Sequence, residues 1–140
     1  MRQILLFAAL AASLALLSGC ALSKAKEDKA EDMTGKAAYH KLSAEEAYEM
    51  MASQEVVVVD VRTREEYDGG HIENAVLVPN ESIDSEMPEA LPDKEATLLI
   101  YCRSGRRSKD AAQKLLALGY QSVYDFGGVI DWPYELVKEG

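Results

Sequence analysis

Thr97-Leu-Leu-Ile-Tyr-Cys102-Arg-Ser-Gly-Arg-Arg107-Ser108 is the stretch on which both the fold and the chemistry turn. Its first half is a short run with no polar alternation, as a strand buried on both faces of a parallel sheet requires. Its second half opens a helix over Ser108 to Leu118, with Ala111, Ala112, Leu115, Leu116 and Leu118 on or near one side and Gly119 placed to end it. A cysteine at the carboxyl end of a buried strand, in a short loop leading into a helix, sits where open α/β sheets place their sites.

The flanking sequence fits the same architecture. Val56-Val-Val-Val59 is a second buried strand, Val76-Leu77-Val78 a third ended by Pro79, and Ser122 to Asp125 a last one. Ser43 with Glu46, and Thr63 with Glu66, have the spacing of capping boxes that start two short helices, the second stopped at Gly69-Gly70. Pro88 and Pro92 keep Ile83 to Lys94 irregular. Phe126-Gly127-Gly128 reads as a tight turn, followed by a terminal helical stretch around Trp132 to Val137. Strands alternating with helices predict an α/β domain with a mainly parallel sheet.

The N-terminus has a different character. Arg2 precedes an apolar run from Ile4 to Leu17, of signal-peptide length and too short to span a bilayer comfortably. It ends in Leu17-Ser18-Gly19-Cys20, which resembles the lipobox of bacterial lipoproteins. That resemblance implies a signal peptide over 1–19, a lipidated Cys20, and an extracytoplasmic, membrane-anchored protein on the cell surface or the periplasmic face. Residues 20–38 are mixed in charge and poor in large apolar side chains, so they read as a flexible tether. One folded domain occupies 39–140.

Charge and cysteine usage narrow the function. The formal net charge is -9, and Arg2 is the only charged residue of the first nineteen, so the acidity lies in the rest of the chain. Such a surface repels phosphate backbones and anionic headgroups, which argues against nucleic-acid binding and leaves the lipid anchor as the membrane contact. With Cys20 lipidated, Cys102 is the sole thiol of the mature chain. One thiol with His40 and His71 shows no metal-ligand spacing, and no cofactor is implied.

The loop itself carries the chemistry. Inward-turned amides and the positive end of the following helix favour thiolate at Cys102. Arg103, Arg106 and Arg107 add three guanidinium groups at a helix start, where cations are disfavoured unless an anion sits beside them. The loop Arg103, Ser104, Gly105, Arg106 and Arg107 is therefore the candidate binding site for a small anionic donor, with Cys102 as nucleophile. Arg103 is the first choice for donor binding, and Arg107 has a second reading as a salt bridge tying the loop down.

At this point the sequence resembles the rhodanese family. The matching pieces are Asp60-Val-Arg62, Glu66-Tyr67, Gly70-His71-Ile72, Ala75, Cys102 to Ser108, and Phe126-Gly-Gly128 with Trp132, in family order. The resemblance implies a rhodanese-like domain over 39–140, with a mainly parallel five-stranded sheet flanked by helices on both faces. It also implies sulfur transfer from thiosulfate or a similar donor to a thiol acceptor through a Cys102 persulfide. Asp60 and Arg62 are read as a supporting charged pair that steadies the loop, and His71 as scaffold. Related phosphatases place five residues between cysteine and arginine, whereas four separate Cys102 from Arg107 here; a shorter loop suits one added sulfur better than a phosphate. Two alternatives remain open: a non-catalytic sulfur-carrier or interaction module, and a thiol-redox protein, the latter weakened by the lack of a resolving cysteine.

Overall fold

In the computed structural model, which describes residues 37–138, the Thr97–Cys102 run is the central strand of a five-stranded, all-parallel sheet. The strands are β1 (Ala38–Lys41), β2 (Val57–Asp60), β3 (Val76–Leu77), β4 (Thr97–Cys102) and β5 (Ser122–Gly128), in the spatial order β1-β5-β4-β2-β3. The helices are α1 (Ala44–Ser53), α2 (Arg64–Asp68) and α3 (Arg106–Ala117). The signal-peptide and Cys20 readings, with nearly all of the tether, lie outside the described residues. Among the described residues no helix is long and apolar enough to cross a membrane.

The missing alternation in β4 has a direct cause. Leu98, Ile100 and Cys102 pack with Ala111, Ala112 and Leu115 of α3 on one face. Leu99 and Tyr101 pack with Ala47 of α1 and Tyr67 of α2 on the other. Both faces are covered from Leu98 onward, so Leu98 to Cys102 show no polar alternation. The period-two geometry puts Cys102 on the α3 side, directly below that helix's start.

Local signals set the helix ends. Ser43 Oγ accepts from the Glu46 amide at 3.1 Å while the Glu46 carboxylate accepts from the Ser43 amide at 2.7 Å. Thr63 and Glu66 form the same reciprocal pair at 3.3 and 3.1 Å. At the other end of α3, the amides of Gly119 and Tyr120 donate to Leu116 and Leu115 at 3.0 and 3.1 Å, the closure expected there. The helix starts two residues earlier than expected, at Arg106, and thereby aims nearer the sulfur.

Two expectations are corrected. The strand β1 was not foreseen; its four residues are mostly exposed and carry no apolar pattern, and only pairing with β5 makes them a strand. It begins at Ala38, one residue inside the segment read as tether. The terminal helix over Trp132–Val137 is absent. Pro133 disfavours helical backbone at Trp132, which is extended at φ -80° and ψ 112°. The chain instead makes a 3-10 turn at Val129–Asp131, and Val137 exchanges two backbone hydrogen bonds with His71, at 2.9 and 2.8 Å.

Leu98 is fully buried between β4 and α3. Leu98→Ala is expected to destabilise the domain by about 2–5 kcal/mol through lost burial and a residual cavity. Urea unfolding checks this as a lower midpoint with an unchanged slope.

Candidate active site

Between the end of β4 and the start of α3 only Arg103, Ser104 and Gly105 remain to turn the chain. Gly105 makes the turn in the left-handed region, at φ 101°, where a side chain is strained. A Cβ there would also stand 3.4 Å from Gly127 Cα. In this conformation the Gly105 amide donates to Cys102 Sγ at 3.0 Å. Cys102 is only 1% exposed, and burial alone would raise its pKa. Hydrogen bonds from the Ser108 and Gly105 amides, the Ser108 hydroxyl and the Ser104 amide outweigh burial, and the net shift is downward. The sulfur is thus recessed beneath an exposed loop whose amides favour the thiolate.

The three arginines divide. Arg103 and Arg106 are exposed, and among the described residues neither joins an ion pair. Arg107 instead forks onto Glu66, with both nitrogen–oxygen distances at 2.8 Å. Of the two roles read for Arg107, the geometry supplies the tie. Glu66 is the residue that closes the capping box of α2, so one carboxylate joins the starts of α2 and α3. The hydrogen bonds from Arg107 hold the Glu66 carboxyl down at about 2.

Asp60 and Arg62 form the expected pair, fully enclosed. Arg62 Nη2 donates to Asp60 Oδ2 and to the Gly70 carbonyl, each at 2.7 Å, and Tyr101 Oη donates to Asp60 Oδ2 at 2.6 Å. Tyr101 faces away from Cys102 along β4, so this cluster braces the Gly70–Ile72 segment rather than the cysteine loop. His71 is buried, stacks on Tyr67 at 3.7 Å between centroids, and donates from Nδ1 to the Tyr67 carbonyl at 2.9 Å. These contacts hold the ring within the fold.

The Phe126–Gly128 turn and Ser108, read from the sequence only as motif pieces, complete the site together with Asp125 and Ile130, which the sequence reading left out. The end of β5 lies hard against the loop: a Cβ on Gly128 would stand 2.1 Å from the Arg103 carbonyl oxygen. The Ile130 amide donates to that same oxygen at 3.2 Å. Ser108 is fully buried, and its hydroxyl donates to the equally buried Asp125 at 2.7 Å. An acid two residues after the inward-facing Val123 was the available signal. Among the described residues no cluster of three metal-ligating side chains occurs. A recess of about 650 Å³ lined by Tyr48, Met51, Ile72, Trp132 and Tyr134 contains no residue of the cysteine loop.

Comparison with known proteins places this geometry. The family model of the rhodanese-like domain matches residues 43–133. A tRNA uridine(34) hydroxylase of Yersinia pestis (strain Pestoides F) is 32% identical over 106 residues, covering 72% of this chain. The chain spans about 30% of the length of that relative. A rhodanese from E. coli solved with anions is 33% identical, covers 61% of this chain and all of its own, and superposes with a TM-score of 0.55. A human single-domain sulfurtransferase is 27% identical, covers 66% of this chain and 93% of its own, with a TM-score of 0.60.

The Glu66–Arg107 tie generates a pH-dependent expectation. A carboxyl whose folded pKa lies below its ordinary 4.5 stabilises the fold above that value and loses the contribution as pH falls through about 2. Glu66→Gln is therefore expected to cost about 1 kcal/mol at neutral pH, as a half-buried forked pair is worth. Thermal unfolding of both proteins across pH should show the gap closing between about pH 4.5 and pH 2.

Proposed function

The chain belongs to the rhodanese-like domain family, with a general role in sulfur-related chemistry, and from that premise we propose that it is a sulfurtransferase acting through a persulfide on Cys102. The observation that carries this reading is the recessed Cys102 sulfur at the carboxyl end of β4, which accepts from the Gly105 amide at 3.0 Å just before α3 begins. The Cys102 thiolate attacks the outer sulfur of thiosulfate. A new S–S bond forms, the old one breaks, and sulfite leaves with its electron pair. A thiolate acceptor then takes the outer sulfur from the persulfide and regenerates the Cys102 thiolate. The loop amides favour the thiolate, so this reading assigns no general base.

Charge supports an anionic donor. The chain as a whole is acidic, so attraction must be local. Arg103 and Arg106, exposed beside the sulfur, supply it together with the helix start, and the E. coli relative with bound anions is consistent with that use. The hydroxylase activity of the Yersinia relative belongs to a protein of which this chain spans about 30%. An acidic domain is poorly suited to a tRNA backbone.

We further propose that Cys20 carries a lipid and holds the domain on the outer side of a membrane, on the strength of Leu17-Ser18-Gly19-Cys20 behind an apolar run.

Each proposal has its test. Incubation with thiosulfate followed by intact-mass measurement should add one sulfur to Cys102, and Cys102→Ser should abolish both that and turnover. A mixed disulfide in place of a persulfide would favour redox work. Arg103→Ala should raise KM for thiosulfate, costing about tenfold to a hundredfold in kcat/KM, as loss of a charge-assisted hydrogen bond implies. The loss should shrink with an uncharged donor. For the anchor, cell fractionation should find the wild type with membranes, and Cys20→Ser should be released or left uncleaved; wild type wholly in the soluble fraction with another N-terminus overturns lipidation.

A further inference from the structure

Nothing in the proposed transfer uses the recess beside α1, whose volume of about 650 Å³ is that of a small-molecule site. Its wall is aromatic. Tyr48 of α1 stacks on Tyr134 at 3.9 Å between centroids, and Trp132 meets Tyr134 and Tyr48 edge-on at 5.0 and 6.1 Å. Phe126 backs Trp132 at 5.5 Å. Tyr48 and Tyr134 nevertheless remain 46% and 36% exposed. Trp132 is partly exposed although its Nε1 is buried, without a hydrogen-bond partner among the described residues, so the surface it shows is ring carbon and not the N–H donor. A single exposed ring is ordinary, but three converging on one recess mark a binding surface.

Charge says what would bind there. Glu73 and Glu135 are the only charged residues lining the recess. The antiparallel bridge between His71 and Val137 brings them to it, each two residues along the chain from its bridge partner. Both are exposed, and among the described residues neither joins an ion pair. Two carboxylates gathered at one rim repel each other unless a cation sits with them. The faces of aromatic rings are negative as well, and attract cations. We propose that this recess is a binding site for a small organic cation, a quaternary or alkylated amine, with its alkyl groups on the rings of Tyr48, Trp132 and Tyr134 and its charge beside Glu73 and Glu135. A bare metal ion would gain nothing from an apolar ring wall, and an uncharged apolar ligand would gain nothing from the carboxylates. The acidity of the chain as a whole adds attraction at longer range. The site is distinct from the cysteine loop, which contributes no residue to it and ends a strand whose Cys102 faces α3.

Trp132 is the sole tryptophan of the chain, so its fluorescence reports on this recess directly. The full chain is titrated at matched ionic strength with choline and with the neutral analogue in which a tert-butyl group replaces the trimethylammonium. Choline should change the emission saturably, and the neutral analogue should bind about tenfold more weakly. Glu73→Gln and Glu135→Gln should each weaken choline binding about twofold to fivefold and leave the analogue unaffected, as loss of one exposed charge partner implies. Both side chains are exposed, so the fold is retained in each variant. Tyr48→Leu keeps an apolar side chain but removes a ring, and should narrow the gap between the two compounds. Cys102→Ser should bind choline as the wild type does, and thiosulfate should not compete. No saturable response to choline, equal affinity for the two compounds, glutamine variants that lower both affinities alike, or competition by thiosulfate overturns the proposal. None of these outcomes bears on sulfur transfer, which is read separately from the mass of Cys102.

Discussion

Three residues must carry the chain from the end of a buried strand to the first turn of a helix that runs back over the same sheet. That reversal is the constraint on which the site depends. It can be closed only by a residue in the left-handed region, which Gly105 supplies, and it leaves the loop amides facing inward around the side chain that ends the strand. Any side chain at position 102 would sit in this ring of donors beneath the start of α3. A sulfur placed there is favoured as an anion although it is almost wholly buried. The same closeness explains why the end of β5 is glycine: the loop and the Gly127–Gly128 turn approach to a distance that admits no side chain at 128.

The sheet separates two buried polar systems, one on each face. On the α1 and α2 side, Asp60, Arg62 and Tyr101 tie β2 and β4 to the Gly70–Ile72 segment. On the α3 side, Asp125 ties β5, β1 and the first turn of α3 together. Each contains a carboxylate with no exposure, and each carboxylate is met by a cation and by hydroxyl or amide donors. The first is remote from the sulfur by strand alternation and serves the scaffold. The second meets the first turn of α3 through Ser108. The residues are of similar type, and their consequences differ because adjacent strand positions face opposite ways.

Electrostatics follow the same local logic. The chain is strongly acidic, yet the loop is basic, and the three arginines do not act as one patch. Arg107 is consumed by Glu66 in joining α2 to α3, which leaves Arg103 and Arg106 facing solvent beside the recessed sulfur. A small anion approaching that rim meets positive charge within a field of the opposite sign.

What could be read from the residues alone was what depends on neighbours in the chain. The Ser43–Glu46 and Thr63–Glu66 boxes, the closure after α3 and the doubly buried character of Thr97–Cys102 each involve positions a few residues apart, where backbone geometry dictates who meets whom. The cysteine at a strand end before a helix belongs to the same class. The tertiary structure alone decided the rest. Ala38–Lys41 is a strand only because β5 is there to pair with it, and Val137 meets His71 instead of closing a helical turn. The sequence offered Arg107 both a ligand and a structural role, and Glu66, 41 positions away, chose between them. Asp125 was invisible as a site residue because its partners Tyr39 and Lys41 lie 86 and 84 positions distant. Contacts across such separations are set by the packing of the whole sheet, and no local pattern of residues encodes which side chains that packing brings together.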